Sequence, residues 1–447
     1  MPPMVRTRST TAVPLPAAGG AELPDPGRLV LLSPFDAFWV ALPPVRRVFL
    51  FRSLPSVPFS DVVGTLRSSL AQVLPAFHPF AGELTYSPDS RALSIVLPNE
   101  WEGGSCGGVT FVEAETDLDF ERLVEEGSEH DQDALGQLVP DIRRDQLPAP
   151  VMAAQVTEFV GGVALGVAVH HTAADGRGIW LFLEMWAAAA AGGRVPAGSA
   201  ALHDRRLVRF HGDEELARLF LQQIAPNLPR IAPKQDPALD ARRRLSRRTF
   251  TFAASAVRRL KQKLASAANI GTAPSTFAAL AAHGWVSIAR ASGFADDGPV
   301  FAAFLADCRA YVSPPVPEAY AGNCVALCTA SLSGSVLAGP DGPARAFLAV
   351  REAVAEVKRD PLRDRAGWWT KFTAIPPGRA VVLVGSPWFP AYGLDFGFGR
   401  PARVELASMN NDGEMVLVAG REAGSVQASV SIAAGKVQAF RDMFMAE

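Results

Sequence analysis

Two lobes of mixed α/β structure are what this sequence predicts. Three observations carry the prediction. At 447 residues the chain exceeds what one hydrophobic core ordinarily organises. Short apolar runs alternate with helical periodicity in both halves. Between 192 and 212, Gly, Pro, Ser and charged residues replace apolar ones and read as an exposed crossing segment. The expected organisation is an N-terminal domain over 1–195, a crossover over 196–215 and a C-terminal domain over 216–447.

In the first half, Val45–Phe51 reads as a strand and Ser60 as the N-cap of a helix with Val63, Leu66, Leu70 and Val73 on one face, closed by Pro75. Val151–Val160 and Val163–Val169 flank Gly161-Gly162, a hairpin signal, and a helix follows from Ile179 to Ala191. In the second half Ser255 caps one helix and a second covers Ser275–Ala291. Strands are expected at Val300–Leu305, Ala380–Val384, Val404–Ala407, Met415–Ala419 and Val426–Ile432, with a closing helix over Gly435–Phe444. The first twenty residues, broken by Pro and Gly, read as a disordered tail.

Composition excludes several classes of function. Hydrophobic residues at 49% and charged residues at 20% describe an ordinary globular protein. A net charge of −2 gives no electrostatic reason to expect nucleic acid or anionic membrane as a partner. The basic run Arg242–Arg248 reads as a solvated loop. Cys106, Cys308, Cys324 and Cys328 have neither metal-ligand nor CxxC spacing, so no metal is expected and a reducing, cytoplasmic setting is the default. The most apolar stretch, Gly178–Ala191, is short and holds Glu184, which predicts no membrane span. The expected assembly is a monomer.

Chemistry concentrates in HHTAADG, ending at Gly176, after the strand Val163–Val169. Adjacent strand residues face opposite ways, so His170 and His171 do not share one cavity. A cleft-facing, neutral His171 could take a proton from a bound hydroxyl near pH 7. Asp175, four residues on, suggests a dyad, but a bare HxxxD also arises by chance. DFGFG at Asp395–Gly399 lacks the accompanying motifs of a kinase and the GKS ending of a phosphate loop, which leaves a structural turn.

Together, HxxxD at mid-chain and DFGFG near the C-terminus resemble the paired HxxxD and DFGWG signatures of the plant BAHD acyltransferases. LSPFDAFWV (Leu32–Val40), HPFAGEL (His78–Leu84), FLADCRAYVSPPVP (Phe304–Pro317), YAGNC (Tyr320–Cys324) and VGSPWFPAYGLDFGFGRP (Val384–Pro401) match family blocks in order. The resemblance implies a chloramphenicol acetyltransferase-like α/β fold with a channel between two domains. No bound cofactor is implied; an acyl-CoA donor and a small phenolic acceptor are. By this likeness His171 is the general base for direct attack on the thioester, and Ser386 is a candidate oxyanion donor. Asp175 is expected to turn from the histidine and pair with Arg309, and Asp395 to act structurally as well, since truncating one partner would leave a buried charge unpaired.

YAGNC resembles the YFGNC block of the subgroup that malonylates anthocyanins and other phenolic glucosides. Arg177 is therefore a candidate for holding a malonyl carboxylate; a surface arginine on the first helical turn is the alternative. Ala321 stands for the Phe of that block, Phe398 for the Trp of DFGWG, and Gln427 where malonylating relatives show Glu. The expected reaction is malonyl transfer to a glucoside hydroxyl. The alternatives are acetyl or hydroxycinnamoyl transfer to an alcohol or amine, and a non-catalytic binding protein.

Overall fold

The computed structural model describes residues 4–15, 29–52, 57–97, 108–193, 201–231, 244–409 and 411–446. Among these, strands form two six-stranded sheets and one of four strands. The first sheet runs in the order Val5–Pro14, Gly108–Thr116, Met152–Phe159, Gly162–Val169, Val45–Arg52, Arg403–Leu406. The second runs Leu245–Phe252, Val426–Ala433, Glu414–Ala419, Ala380–Gly385, Pro299–Asp307, Val325–Ser333.

The hairpin at Gly161-Gly162 forms as expected, with Phe159 paired to Gly162 and Gly161 at φ 86°, a value glycine adopts without strain. Its second strand, Gly162–Val169, is buried along its whole length. That burial on both faces explains a continuous apolar run where a half-solvated strand would alternate. Its odd-numbered residues from Val163 to Val169 join a core with the helices Phe59–Val73 and Gly176–Ala190. Inside that core the Trp186 indole donates to the Leu66 carbonyl at 3.2 Å, which satisfies its only polar atom. A second core packs the helix Thr276–Ala291 on the second sheet, and Ser275 caps this helix through the Ala278 amide at 3.1 Å.

Four local expectations are corrected. The N-terminal segment is no disordered tail over Val5–Pro14; this Thr- and Val-containing stretch is an edge strand antiparallel to Gly108–Thr116. The helix expected from Ser60 begins at Phe59 with Pro58 at its N-cap, and 3-10 geometry carries the chain on past Pro75 to Ala81. The Ser255 cap is likewise not used: that helix starts at Ala254 behind Ala253. The basic run through Arg248 is no solvated loop over its described part. It enters the strand Leu245–Phe252, where Arg247 is buried and donates to the Met409 carbonyl at 2.9 Å. The strand expected at Val404–Ala407 forms over Arg403–Leu406, and it pairs with Val45–Arg52 in the first sheet. This exchange ties the C-terminal part of the chain to the sheet that carries the histidines.

Candidate active site

His171 lies just beyond the strand ending at Val169, in the turn that leads to the helix Gly176–Ala190. Its ring stacks on Trp39, with centroids 3.9 Å apart and planes 18° from parallel. Nδ1 is buried without a hydrogen-bond partner. Burial lowers the imidazole pKa, outweighing the opposing influence of its own backbone, Asp175, Asn323 and Asp36. The ring is therefore neutral near pH 7, the state a general base requires. His170 is fully buried, its Nδ1 accepts from the Thr172 amide at 3.3 Å, and burial takes its pKa down to about 4.

Asp175 does not engage the imidazole. One carboxylate oxygen caps the helix through the Gly178 amide at 3.0 Å. The other accepts from Arg309 at 2.8 Å and from the Cys324 amide at 3.0 Å. Arg309 is itself buried, and the neighbouring acids hold its pKa above the ordinary arginine value despite that burial. Close approach completes the junction: a Cβ at Gly178 would meet the Ala321 carbonyl oxygen at 2.2 Å, so only glycine fits there.

A second buried pair flanks the same turn. Asp36, fully buried in a capping box with Ser33, accepts from Arg205 at 3.2 Å and from the Asn323 amide nitrogen Nδ2 at 2.9 Å. Asn323 Nδ2 also reaches the His171 carbonyl at 2.9 Å, and Arg205 donates to the Ala173 carbonyl at 2.5 Å. The histidine turn is thus held through its backbone by two distant side chains, Arg205 and Asn323, which Asp36 joins. Trp39, Asp36, Arg205 and Asn323 were given no role from sequence. Three of them stand inside LSPFDAFWV and YAGNC, so the motifs signalled their importance but not their contacts.

The remaining candidates divide. Ser386 follows the strand Ala380–Gly385, and its hydroxyl oxygen accepts from the Trp388 amide at 3.2 Å while the O–H can still donate. Arg177 presents no free guanidinium: it lies 3.2 Å from Glu318 and 3.6 Å from Asp307, donates to the Glu318 carbonyl at 3.3 Å, and its side chain is 41% exposed. Asp395 is exposed, so no buried charge is at stake there; it accepts from the Gly397 and Gly399 amides at 2.9 and 3.0 Å and shapes the glycine turn. Phe398 packs edge-on against Phe51 at 5.0 Å, and Gln427 accepts from the Tyr392 hydroxyl. Cys308 and Cys324 are free and buried with sulfurs 3.7 Å apart, and Cys106 lies outside the described residues. No metal-binding group of His, Cys, Asp and Glu occurs among the described residues, and no described helix is long and apolar enough to cross a membrane.

Two such sheets joined through a histidine turn define a chloramphenicol acetyltransferase-like α/β fold. Vinorine synthase superposes with a TM-score of 0.73 at 18% identity, covering 98% of this chain and 96% of that one. TRI101 of F. sporotrichioides, solved with coenzyme A and T-2, gives 0.69 at 18% identity over 92% and 96%. The Transferase family profile matches residues 21–446, and the chain belongs to this family, the BAHD acyltransferases. Among its curated relatives, phenolic glucoside malonyltransferase 1 of Arabidopsis thaliana is 29% identical over 88% of this chain and 87% of its own length. Putrescine hydroxycinnamoyltransferase 1 of Oryza sativa subsp. japonica is 31% identical over 86% of each. The protein is an acyltransferase.

Proposed function

We propose that the protein transfers malonyl from malonyl-CoA to a sugar hydroxyl of a flavonoid or other phenolic glucoside, with His171 as general base. The carrying observation is the neutral, stacked imidazole whose neighbouring carboxylate is committed elsewhere. His171 takes the proton of the acceptor hydroxyl as its oxygen attacks the thioester carbonyl. The tetrahedral oxyanion draws a hydrogen bond from Ser386. Collapse expels the CoA thiolate, which recovers the proton from the imidazolium. Oxygen–carbon bond formation and carbon–sulfur cleavage balance without a covalent enzyme intermediate, so neither a nucleophilic Ser nor Cys takes part. Asp175, Arg309 and Asp395 support the site's shape. The two lobes, 1–195 and 216–447 joined by the crossover, would bound the substrate channel, in a monomer working in the cytoplasm.

The names of the glucoside malonyltransferase relatives support the donor and the acceptor class. A second reading, hydroxycinnamoyl transfer to an amine, draws on the rice relative at 31% identity. A screen of malonyl-, acetyl- and coumaroyl-CoA against phenolic glucosides and polyamines, read as free CoA release, separates them. Malonyl-CoA with glucosides should give the highest kcat/KM; preference for coumaroyl-CoA with an amine would replace the first reading by the second.

A further inference from the structure

Among the described residues, the buried arginines are matched with partners, with one exception. Arg205, Arg309 and Arg403 each hold a carboxylate, at 3.2, 2.8 and 2.8 Å, and Arg247 donates to a backbone carbonyl. Arg47 is as deeply enclosed, at 6% exposure, yet its side chain makes no ion pair or hydrogen bond with any described residue, and its Nε is sealed from solvent without an acceptor. Its guanidinium carbon lies 4.9 Å over the Trp180 ring. The acid nearest in influence, Glu405, is occupied by Arg403, Thr249 and Ser429. Burial brings the Arg47 pKa down to about 10, so the group still carries its charge at neutral pH.

Nε alone is sealed; Nη1 and Nη2 are not, so the outer edge of a largely buried guanidinium, with Glu405 only as a distant attraction, is left for an arriving anion. The indole beneath supports the guanidinium face and leaves its in-plane N–H fork for a planar, bidentate anion. Carboxylate has that geometry.

The location fits the acyl end of the reaction. Arg47 is paired in register with Val167, and Val167 and Val169 share the core that holds Trp180. His171 follows two residues after Val169, in the turn, so four residues, at most about 13 Å of chain, separate the two positions. A long arginine side chain and an extended malonyl group can close that interval between them. Phe389 stacks on Trp180 with centroids 5.6 Å apart, and its amide donates to the Ser386 carbonyl at 3.0 Å. Arg47, Trp180 and Phe389 are therefore in contact one after another, and a single backbone turn joins Phe389 to Ser386.

We propose that Arg47 is the receptor for the terminal carboxylate of a malonyl donor, the role that Arg177, engaged by Asp307 and Glu318, does not fill. This rests on the malonyl reading above. A neutral acetyl or cinnamoyl group would leave the cation unmatched.

The test uses the full chain and three forms: wild type, Arg47→Met, which fills the space without the charge, and Arg47→Lys. Thermal unfolding is followed alone, with malonyl-CoA and with acetyl-CoA, alongside the kcat/KM ratio for the two donors. Without ligand, Arg47→Met should melt no lower than wild type, because an unpaired buried charge has been removed. Malonyl-CoA should raise the wild-type Tm more than acetyl-CoA does, and that difference should vanish in Arg47→Met. The malonyl-to-acetyl kcat/KM ratio should fall about ten- to hundredfold in Arg47→Met and less in Arg47→Lys. If Arg47→Met keeps the wild-type ratio and Tm difference, Arg47 is not the receptor and the malonyl reading stands. If wild type itself does not distinguish the donors, both fall together. A large loss of unliganded stability in Arg47→Met would assign Arg47 to the fold and overturn the proposal; Arg47→Lys then reports whether charge alone keeps the ratio.

Discussion

His171 is held by its ring face and its backbone, with no carboxylate on Nδ1. This arrangement separates two histidines that stand side by side in sequence. His171→Ala should lower kcat by about two to four orders of magnitude. His170→Ala removes a buried ring and should cost on the order of 1–3 kcal/mol in urea unfolding while leaving substantial turnover. Reversed behaviour of the two variants would place the base on the wrong side of the strand. Because burial lowers the His171 pKa, the required neutral form persists below the ordinary imidazole range near 6.5. The acid limb of kcat/KM should accordingly lie below pH 6.5, and a limb above that value would show that another group titrates. Arg177→Ala breaks only partly exposed ion pairs and should lower malonyl- and acetyl-CoA use alike, by less than about threefold; selective loss of malonyl-CoA use would restore Arg177 as the carboxylate's partner.

At the level of elements, the turn between the strand Gly162–Val169 and the helix Gly176–Ala190 is fixed by two buried ion pairs, Asp175–Arg309 and Asp36–Arg205. Deleting the Asp175 carboxylate leaves the buried Arg309 only the partly exposed Asp307 at 3.1 Å and backbone carbonyls, and removes the helix cap. Asp175→Ala should therefore destabilise by about 3–5 kcal/mol, seen as a lower urea midpoint. Asp395→Ala removes only exposed hydrogen bonds to two turn amides and should cost about 1 kcal/mol. Comparable losses for the two variants would mean that the glycine turn carries more of the fold than its exposure implies. The helix itself was legible from Ile179 onward, whereas its true start at Gly176 depends on the Asp175 cap.

For the whole molecule, acid should be more damaging than its modest charge suggests. His130 and His170 are held neutral by burial, each with a pKa of about 4, and burial places His203 well below its ordinary value too. An unfolded histidine binds its proton near pH 6.5, so the unfolded state gains protons first as pH falls. Stability contributed by the neutral rings is complete above pH 6.5 and lost progressively toward pH 4. Urea titrations should show a decline on the order of 2–4 kcal/mol between pH 6.5 and 5. A flat profile there would indicate that water reaches these rings in the folded protein.

Local chemistry in the sequence determined a good deal by itself. The Gly161-Gly162 turn, the Ser275 cap and the apolar run before His170 each specify their structure through nearest neighbours, and the ordered motifs pointed to the family that the profile match establishes. Tertiary structure decided what depends on residues far apart in the chain. Arg403–Leu406 read as a strand but took its place in the first sheet only because Val45–Arg52 offers a free edge there. Arg247 looked solvated because neighbouring charges in sequence say nothing about a carbonyl 162 residues away. Arg177 looked available and is not, since Asp307 and Glu318 meet it only in space. Arg47, inside an ordinary strand pattern, gave no sign of being enclosed without a partner. Periodicity and turn residues encode elements because those forces act over a few residues; burial and charge matching act between elements and appear only once the chain has closed on itself.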